Sequence, residues 1–238
     1  MTLNNYDKLA ATYKKSDIKP DKQFSILPTV LGIIGYPCGK VILDLGCGDG
    51  FFTHALASLG ARHVIGIDNS KEQIRLANAN PSEHVTFQYG DIFKDMLSPA
   101  DIILSPFVVN YANSVQDIEF LFGNIMRVLS ERGKVILVVD LPKGENLKKF
   151  GSVKILQGPP IDGTKIKIDL YNSDELICTL FSHYFTPATL ENALKKVGFK
   201  NIIWHKTIIS EEGIEKFGIE FWKDYCDNSE LGYVSAEN

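Results

Sequence analysis

The stretch VILDLGCGDG, residues 41–50, constrains the fold more tightly than any other part of the chain. A run of strand character leads directly into glycines at 46, 48 and 50, and a helix-compatible segment, FFTHALASLG, follows at once. Glycine reaches backbone torsions that a Cβ forbids and lets a ligand approach the main chain closely. In an open α/β sheet, ligands sit outside the carboxyl ends of the strands where the strand order switches. The stretch therefore reads as strand, turn and helix, with a bound molecule against the turn.

The rest of the chain supplies a frame for that unit. KVILDLG, HVIGID, VTFQYGD, ADIILS and GKVILVVD are short β-branched runs, most of them separated by helix-forming segments, which is the pattern of a parallel sheet. The helical segments are GFFTHALASLG, SKEQIRLANAN, SVQDIEFLFGNIMRVLSERG and TPATLENALKKVGF. Ser70 with Gln73 three residues on, and Thr186 before Pro187, are helix-start signals. Between Asp140 and Tyr184 the alternation fails, and glycines, prolines and lysines take over. This region reads as an insertion ending in a strand. Its lysines at 143, 148, 149, 154, 165 and 167 either face an anionic substrate or form a solvated surface, and the solvated reading is preferred.

With 238 residues, 45% of them hydrophobic, the chain is expected to form one domain. The organisation expected is a helical amino-terminal lid over 1–35, a cofactor-binding core over 36–140, the insertion over 141–175, and carboxyl-terminal strands and helices over 176–238. A net charge of −4 argues against a surface built for nucleic acid. The amino terminus lacks a basic start followed by an apolar run, and no stretch is apolar for the length of a membrane span, so a soluble, unprocessed chain is expected. Cys38, Cys47, Cys178 and Cys226 have no CxxC spacing, which points away from zinc and disulfides and towards a cytoplasmic address. No histidine spacing suggests a metal.

The identity of the ligand is narrowed by what the loop lacks. A dinucleotide fingerprint needs glycine at 51, where this chain has Phe51, and no GK[ST] ending completes a phosphate-cradling loop. A ligand without phosphates fits better. Asp68 closes the next strand, where a carboxylate accepts from both hydroxyls of a ribose; Asp91 and Ile92 close the third, suited to the amine and face of an adenine.

At these residues the chain resembles the class I S-adenosylmethionine-dependent methyltransferases: VILDLGCGDGFFT is similar to their first motif, GIDNS to the second, GDIF to the third, and ADIILSPFVVNYA to the fourth-strand segment. The resemblance implies a Rossmann-like, doubly wound, mostly parallel seven-stranded sheet with helices on both faces, and S-adenosylmethionine as cofactor. It further implies that Asp44 organises the loop, that Gly46, Cys47 and Gly48 hold the methionine part, that Asp68 with Asn69 holds the ribose, and that Asp91 and Ile92 meet the adenine. YDKLAATYKKSDIKP, GPPIDGTKI, SHYFTPATLENALKKVGFKNIIWH and FGIEFWKDYCDN are similar to the toxoflavin-type small-molecule N-methyltransferases, whose acceptors are small nitrogen heterocycles or amines.

Acceptor contacts are expected from Tyr6, Asn110, Tyr111 and Tyr184, with Tyr13 over the cofactor and Phe107 either covering the adenine or lining the acceptor pocket. The competing readings are that Tyr6 and Tyr13 only pack an amphipathic helix and that Asn110 and Tyr111 only lead into the next helix. His183, alone in a strand, reads as a structural residue, and no catalytic side chain is assigned. Phe217, Phe221 and Tyr225 at four-residue intervals, with Trp222 adjacent, form a helical apolar stripe that reads as core packing. LSPF in place of a [DN]PP[YF] tetrapeptide, with the acidic pI, favours a small-molecule acceptor over a nucleic acid or protein, a short peptide terminus staying open as an alternative. A nicotinamide-dependent reductase and a catalytically idle cofactor-binding protein are the alternatives.

Overall fold

The computed structural model describes residues 4–15 and 19–238; residues 1–3 and 16–18 of the expected lid segment lie outside the described residues. Helix α1 (Tyr6–Tyr13) is followed by a single π-turn over Lys22–Ile26 and by α2 (Leu27–Ile34). The core then alternates: β1 (Val41–Leu45), α3 (Phe51–Ser58), β2 (His63–Asp68), α4 (Lys71–Ala77), β3 (Val85–Tyr89), β4 (Ala100–Pro106), α5 (Val115–Val128) and β5 (Leu129–Asp140). Strands β6 (Ser152–Leu156), β7 (Lys165–Asn172) and β8 (Glu175–His183) come next. The chain closes with α6 (Pro187–Val197), β9 (Lys200–His205), α7 (Glu211–Phe217), α8 (Ile219–Asn228) and β10 (Leu231–Glu237).

The main sheet has seven strands in the order β3-β2-β1-β4-β5-β10-β9. Strands β1 to β5 pair in parallel, whereas β10 runs antiparallel to both β5 and β9. The order reverses between β1 and β4, so a crevice opens at their carboxyl ends. Period-two alternation divides the apolar side chains between the faces. Leu43, Ile103, Leu137 and Val139 pack with Phe122 of α5 and Leu194 of α6. Ile42, Leu104, Ile136 and Val138 pack with Val30 of α2 and Leu56 of α3. Strands buried on both faces account for the continuous β-branched runs in the sequence.

Three expectations change in detail. The helix expected to run through SVQDIEFLFGNIMRVLSERG stops at Val128, because Leu129 turns extended and pairs with Ala100 of β4. The segment read as a loop-rich insertion ending in a strand is a complete antiparallel sheet, β6-β7-β8, whose span of 152–183 crosses the expected boundary at 175. The carboxyl-terminal aromatic stripe is interrupted at Gly218, which takes φ +81° and separates α7 from α8. Across that break Trp222 and Tyr225 are buried with Phe24, Leu147 and Phe150, the core packing expected of the stripe.

Candidate active site

The loop after β1 is fastened to the tip of β2. Gly46 and Cys47 both donate their N–H to the Ile67 carbonyl, at 2.8 and 3.0 Å, and Gly48 donates to Asp68 Oδ2 at 2.9 Å. Gly46 has φ +68°, and a Cβ there would lie 2.5 Å from Val108 Cγ2, so both backbone and space demand glycine. Gly48 has φ +56° with open space where a Cβ would point, leaving its main chain bare to the crevice. Asp44 lies fully buried beneath this loop and does not line the crevice. Its Oδ2 accepts from Thr53 Oγ1 at 2.6 Å, and that bond ties the loop's strand to α3.

Asp68 joins two elements: its Oδ1 accepts from the Ser70 N–H at 2.8 Å while Oδ2 takes Gly48. Burial pushes this carboxyl above its ordinary range, against the pull of those two donors. Each oxygen retains a second lone pair for a ligand. Ser70 caps α4 by accepting from the Gln73 N–H at 3.2 Å. The reciprocal half of a capping box is absent, because among the described residues neither buried side-chain polar atom of Gln73 has a partner, while the residue lines the crevice. Sequence reasoning saw Gln73 only as a cap partner.

The crevice encloses about 690 Å³, within the range of small-molecule sites. Tyr6, Tyr13, Gly46, Cys47, Gly48 and Asp68 line it, as do Asn69, Asp91, Ile92, Phe107 and Tyr111. Asp91 is half-exposed there and bonds Lys94 Nζ at 2.6 Å. Phe107 holds φ +65°, fixed by its N–H donating to the Val138 carbonyl at 2.7 Å, a torsion uncommon for a non-glycine residue. The hydroxyls of Tyr6 and Tyr111 share a short hydrogen bond that closes α1 over the tip of β4. Burial holds both phenols above their ordinary range, so both stay protonated at neutral pH.

Two expected acceptor contacts lie elsewhere. Asn110 is buried and does not line the crevice: Nδ2 donates to the carbonyls of His183 at 2.9 Å and Asp140 at 3.3 Å, and Oδ1 accepts the Asp140 N–H at 2.9 Å. With its amide spent on the main chain, Asn110 is a staple from the turn after β4 to β5 and β8. Tyr184 also stays outside the crevice and packs on the apolar cluster of the small sheet. His183 donates its Nδ1–H to the Ala112 carbonyl at 2.8 Å, a structural contact.

Charged residues that the sequence did not place at the site sit inside. Lys19, Lys22 and Lys154, together with Asp21 and Asp140, are each exposed by 9% or less and line the same crevice. Lys154 had been expected on a solvated surface. Its place follows from strand phase: Ser152, Lys154, Ile168, Leu170 and Leu180 all face the crevice, while Lys165 and Lys167 take the opposite phase. That alternation was legible once the segment was treated as a strand. Among the described residues no cluster of potential metal ligands is found.

These residues suit an adenosyl sulfonium: a bare glycine backbone, a carboxylate with spare lone pairs at the tip of β2, and an unpartnered amide beside it. The comparisons agree. The methyltransferase-domain family model matches residues 38–156, half of the chain. Phosphoethanolamine N-methyltransferase 1 of Triticum aestivum is 32% identical over 117 residues, covering 46% of this chain and 23% of that protein. The ubiquinone biosynthesis O-methyltransferase of Pelagibacter ubique is 28% identical over 168 residues, covering 67% of this chain and 65% of that protein. The chain spans between 23% and 65% of the length of these two curated relatives. A Mesorhizobium loti S-adenosylmethionine-dependent methyltransferase superposes with a TM-score of 0.65 at 20% identity, over 94% of this chain and 100% of that one. The DhpI-SAM-HEP complex superposes with a TM-score of 0.66 at 16% identity, over 98% and 94%. Strand order, loop geometry and family match coincide on one stretch: the chain belongs to the methyltransferase-domain family and has the class I S-adenosylmethionine-dependent methyltransferase fold.

Proposed function

We propose that the protein transfers a methyl group from S-adenosylmethionine to a small molecule, at a nitrogen of a heterocycle or amine. The observation that carries this reading is the bare Gly46–Gly48 turn hydrogen-bonded to the tip of β2 and opening on a cavity of about 690 Å³. Gly46 to Gly48 would receive the methionine part, Asp68 and Gln73 the ribose side, and Asp91 with Ile92 the base. The cofactor supplies an electrophilic methyl carbon on a positively charged sulfur.

The protein's share is placement. In-line displacement needs donor and acceptor held close and aligned, and orientation of this kind contributes about 7–11 kcal/mol. Tyr6 and Tyr111 close the cavity through their hydroxyl pair and keep water from the reacting atoms. An unprotonated acceptor nitrogen attacks with its own lone pair, whereas a hydroxyl must first be deprotonated. Enclosure by α1 and the small sheet favours a small acceptor. The relatives' names divide between N- and O-methylation, so acceptor chemistry rests on the cavity alone.

Calorimetry tests the reading. S-adenosylhomocysteine should bind and NADH should not. Asp68→Ala should lose about 1.5–3 kcal/mol of that affinity, the worth of hydrogen bonds to a charged group, with Asp68→Asn intermediate. Unchanged affinity in Asp68→Ala would remove the ribose role, and tight NADH binding would remove the donor itself.

A further inference from the structure

The wall of the cavity facing the glycine loop is the small sheet. Lys154, Ile168 and Leu180 stand opposite one another across β6, β7 and β8, and Ser152 and Leu170 form the next rung. All five are buried and line the cavity. A lysine on a buried, mostly apolar inward face is costly unless its ammonium is matched, because a desolvated cation without partners loses several kcal/mol. Among the described residues Lys154 Nζ has one ion-pair partner, Asp140 Oδ1 at 2.7 Å.

A second ammonium arrives from the lid. Lys19 lays its stem across Gly151, whose φ is +112° and where a Cβ would come within 2.5 Å of the Lys19 Cδ. Its side chain is 9% exposed, and the nearest carboxylate oxygen among the described residues, Asp21 Oδ1, is 3.7 Å away, beyond hydrogen-bond reach. That oxygen is itself buried without a hydrogen bond. Burial lowers the Lys19 pKa, and the like charges of Lys22 and Lys154 push it further down against the opposing pull of Asp21. Three ammonium groups, each at least nine-tenths buried, thus line one cavity, and the donors of Lys19 and most of those of Lys154 have no acceptor among the described residues.

We propose that the methyl acceptor carries a carboxylate, which docks on Lys19 and Lys154 while its flat apolar part lies against Ile168, Leu170 and Leu180. An anion there supplies the missing acceptors and offsets the mutual repulsion of the lysines. The inference rests on the donor occupying the glycine-loop end. The same chemistry has one other source, the carboxylate of the donor's own amino-acid end.

The test loads the protein with S-adenosylhomocysteine and titrates matched probes by calorimetry: anthranilate against aniline, and nicotinate against pyridine. The carboxylate member of each pair should bind at least about tenfold tighter. Lys19→Met and Lys154→Met should each reduce that preference about tenfold while S-adenosylhomocysteine affinity stays within about twofold, and Lys154→Arg should retain it. Melting curves check that each variant is folded. Equal binding within the pairs, or no binding by any probe, overturns the inference and leaves the donor reading standing. Loss of S-adenosylhomocysteine affinity in the folded lysine variants also overturns it, by assigning the lysines to the donor's carboxylate. Failure of the wild type to bind S-adenosylhomocysteine refutes the donor reading, and the inference with it.

Discussion

Asp44 shows how one side chain ties the cofactor loop to pH. It is fully buried, and burial raises its carboxyl to about 7 despite the Thr53 hydrogen bond that opposes the rise; Asp68 nearby raises it further. Oδ1 has no hydrogen-bond donor. An unfolded aspartate titrates near 3.9, so between about pH 4 and 7 the folded state binds the extra proton, and stability falls as pH rises through that window. Each pKa unit corresponds to about 1.4 kcal/mol, so this group should cost about 2–3 kcal/mol more at pH 8 than at pH 5. Asp44→Asn carries no titratable group, and its urea-unfolding free energy should decline less between those pH values than that of the wild type. Parallel decline in both proteins would place the pH dependence on other residues. The aspartate was legible in VILDL, but its position beneath the loop was not, because spacing does not reveal that Thr53, nine residues on, would claim its oxygen.

Helix α1 is an eight-residue element too short to persist alone. It is held by tertiary contacts: Tyr6, Leu9 and Tyr13 pack on the small sheet, and Asp7 Oδ1 accepts from Ser70 Oγ at 2.7 Å and from the Glu72 N–H at 3.1 Å. Those bonds hold the Asp7 carboxyl below its ordinary range. Asp7→Ala should therefore speed trypsin cleavage at Lys8, Lys14 and Lys15 and weaken S-adenosylhomocysteine severalfold, with only a small change in melting temperature. An unaltered cleavage rate would mean that the apolar face alone secures the helix. Elements with a local signal were readable in the sequence: Ser70 and Thr186 cap where expected, and the central strands follow their β-branched runs. The small sheet was not, since glycines and prolines around its hairpins mask three strands whose alternation mixes lysine with isoleucine. A cation facing inwards makes an inward face look polar, so the pattern that hid the sheet also hid Lys154.

Across the whole molecule, the end of the cavity proposed for the cofactor is built on the main sheet, and the end proposed for the acceptor on α1 and the small sheet. Their relative position decides whether donor and acceptor align. Among the described residues the link includes Asp7 on Ser70 and Glu72, Tyr6 on Tyr111, His183 on the Ala112 carbonyl, and Asn110 joining the carbonyl of His183 to both backbone groups of Asp140, while Asn4 fastens the start of α1 to β8 through two hydrogen bonds with the backbone of Phe181. Asp140 in turn carries Lys154. Asn110→Ala would leave the buried Asp140 N–H and the His183 carbonyl without this partner, at about 1–3 kcal/mol per unsatisfied group. The bonds of Asn110 reach only the last residues of β5 and β8, Asp140 and His183, so the loss should be local. Hydrogen exchange should accelerate through 165–183 in this variant while the amides of β1 and β4 keep their protection. Turnover should fall more than S-adenosylhomocysteine affinity, because acceptor placement is loosened while the glycine loop is untouched. Uniform acceleration through both sheets would instead make Asn110 part of a single cooperative core, and the two-layer account of how the cavity is assembled would fail.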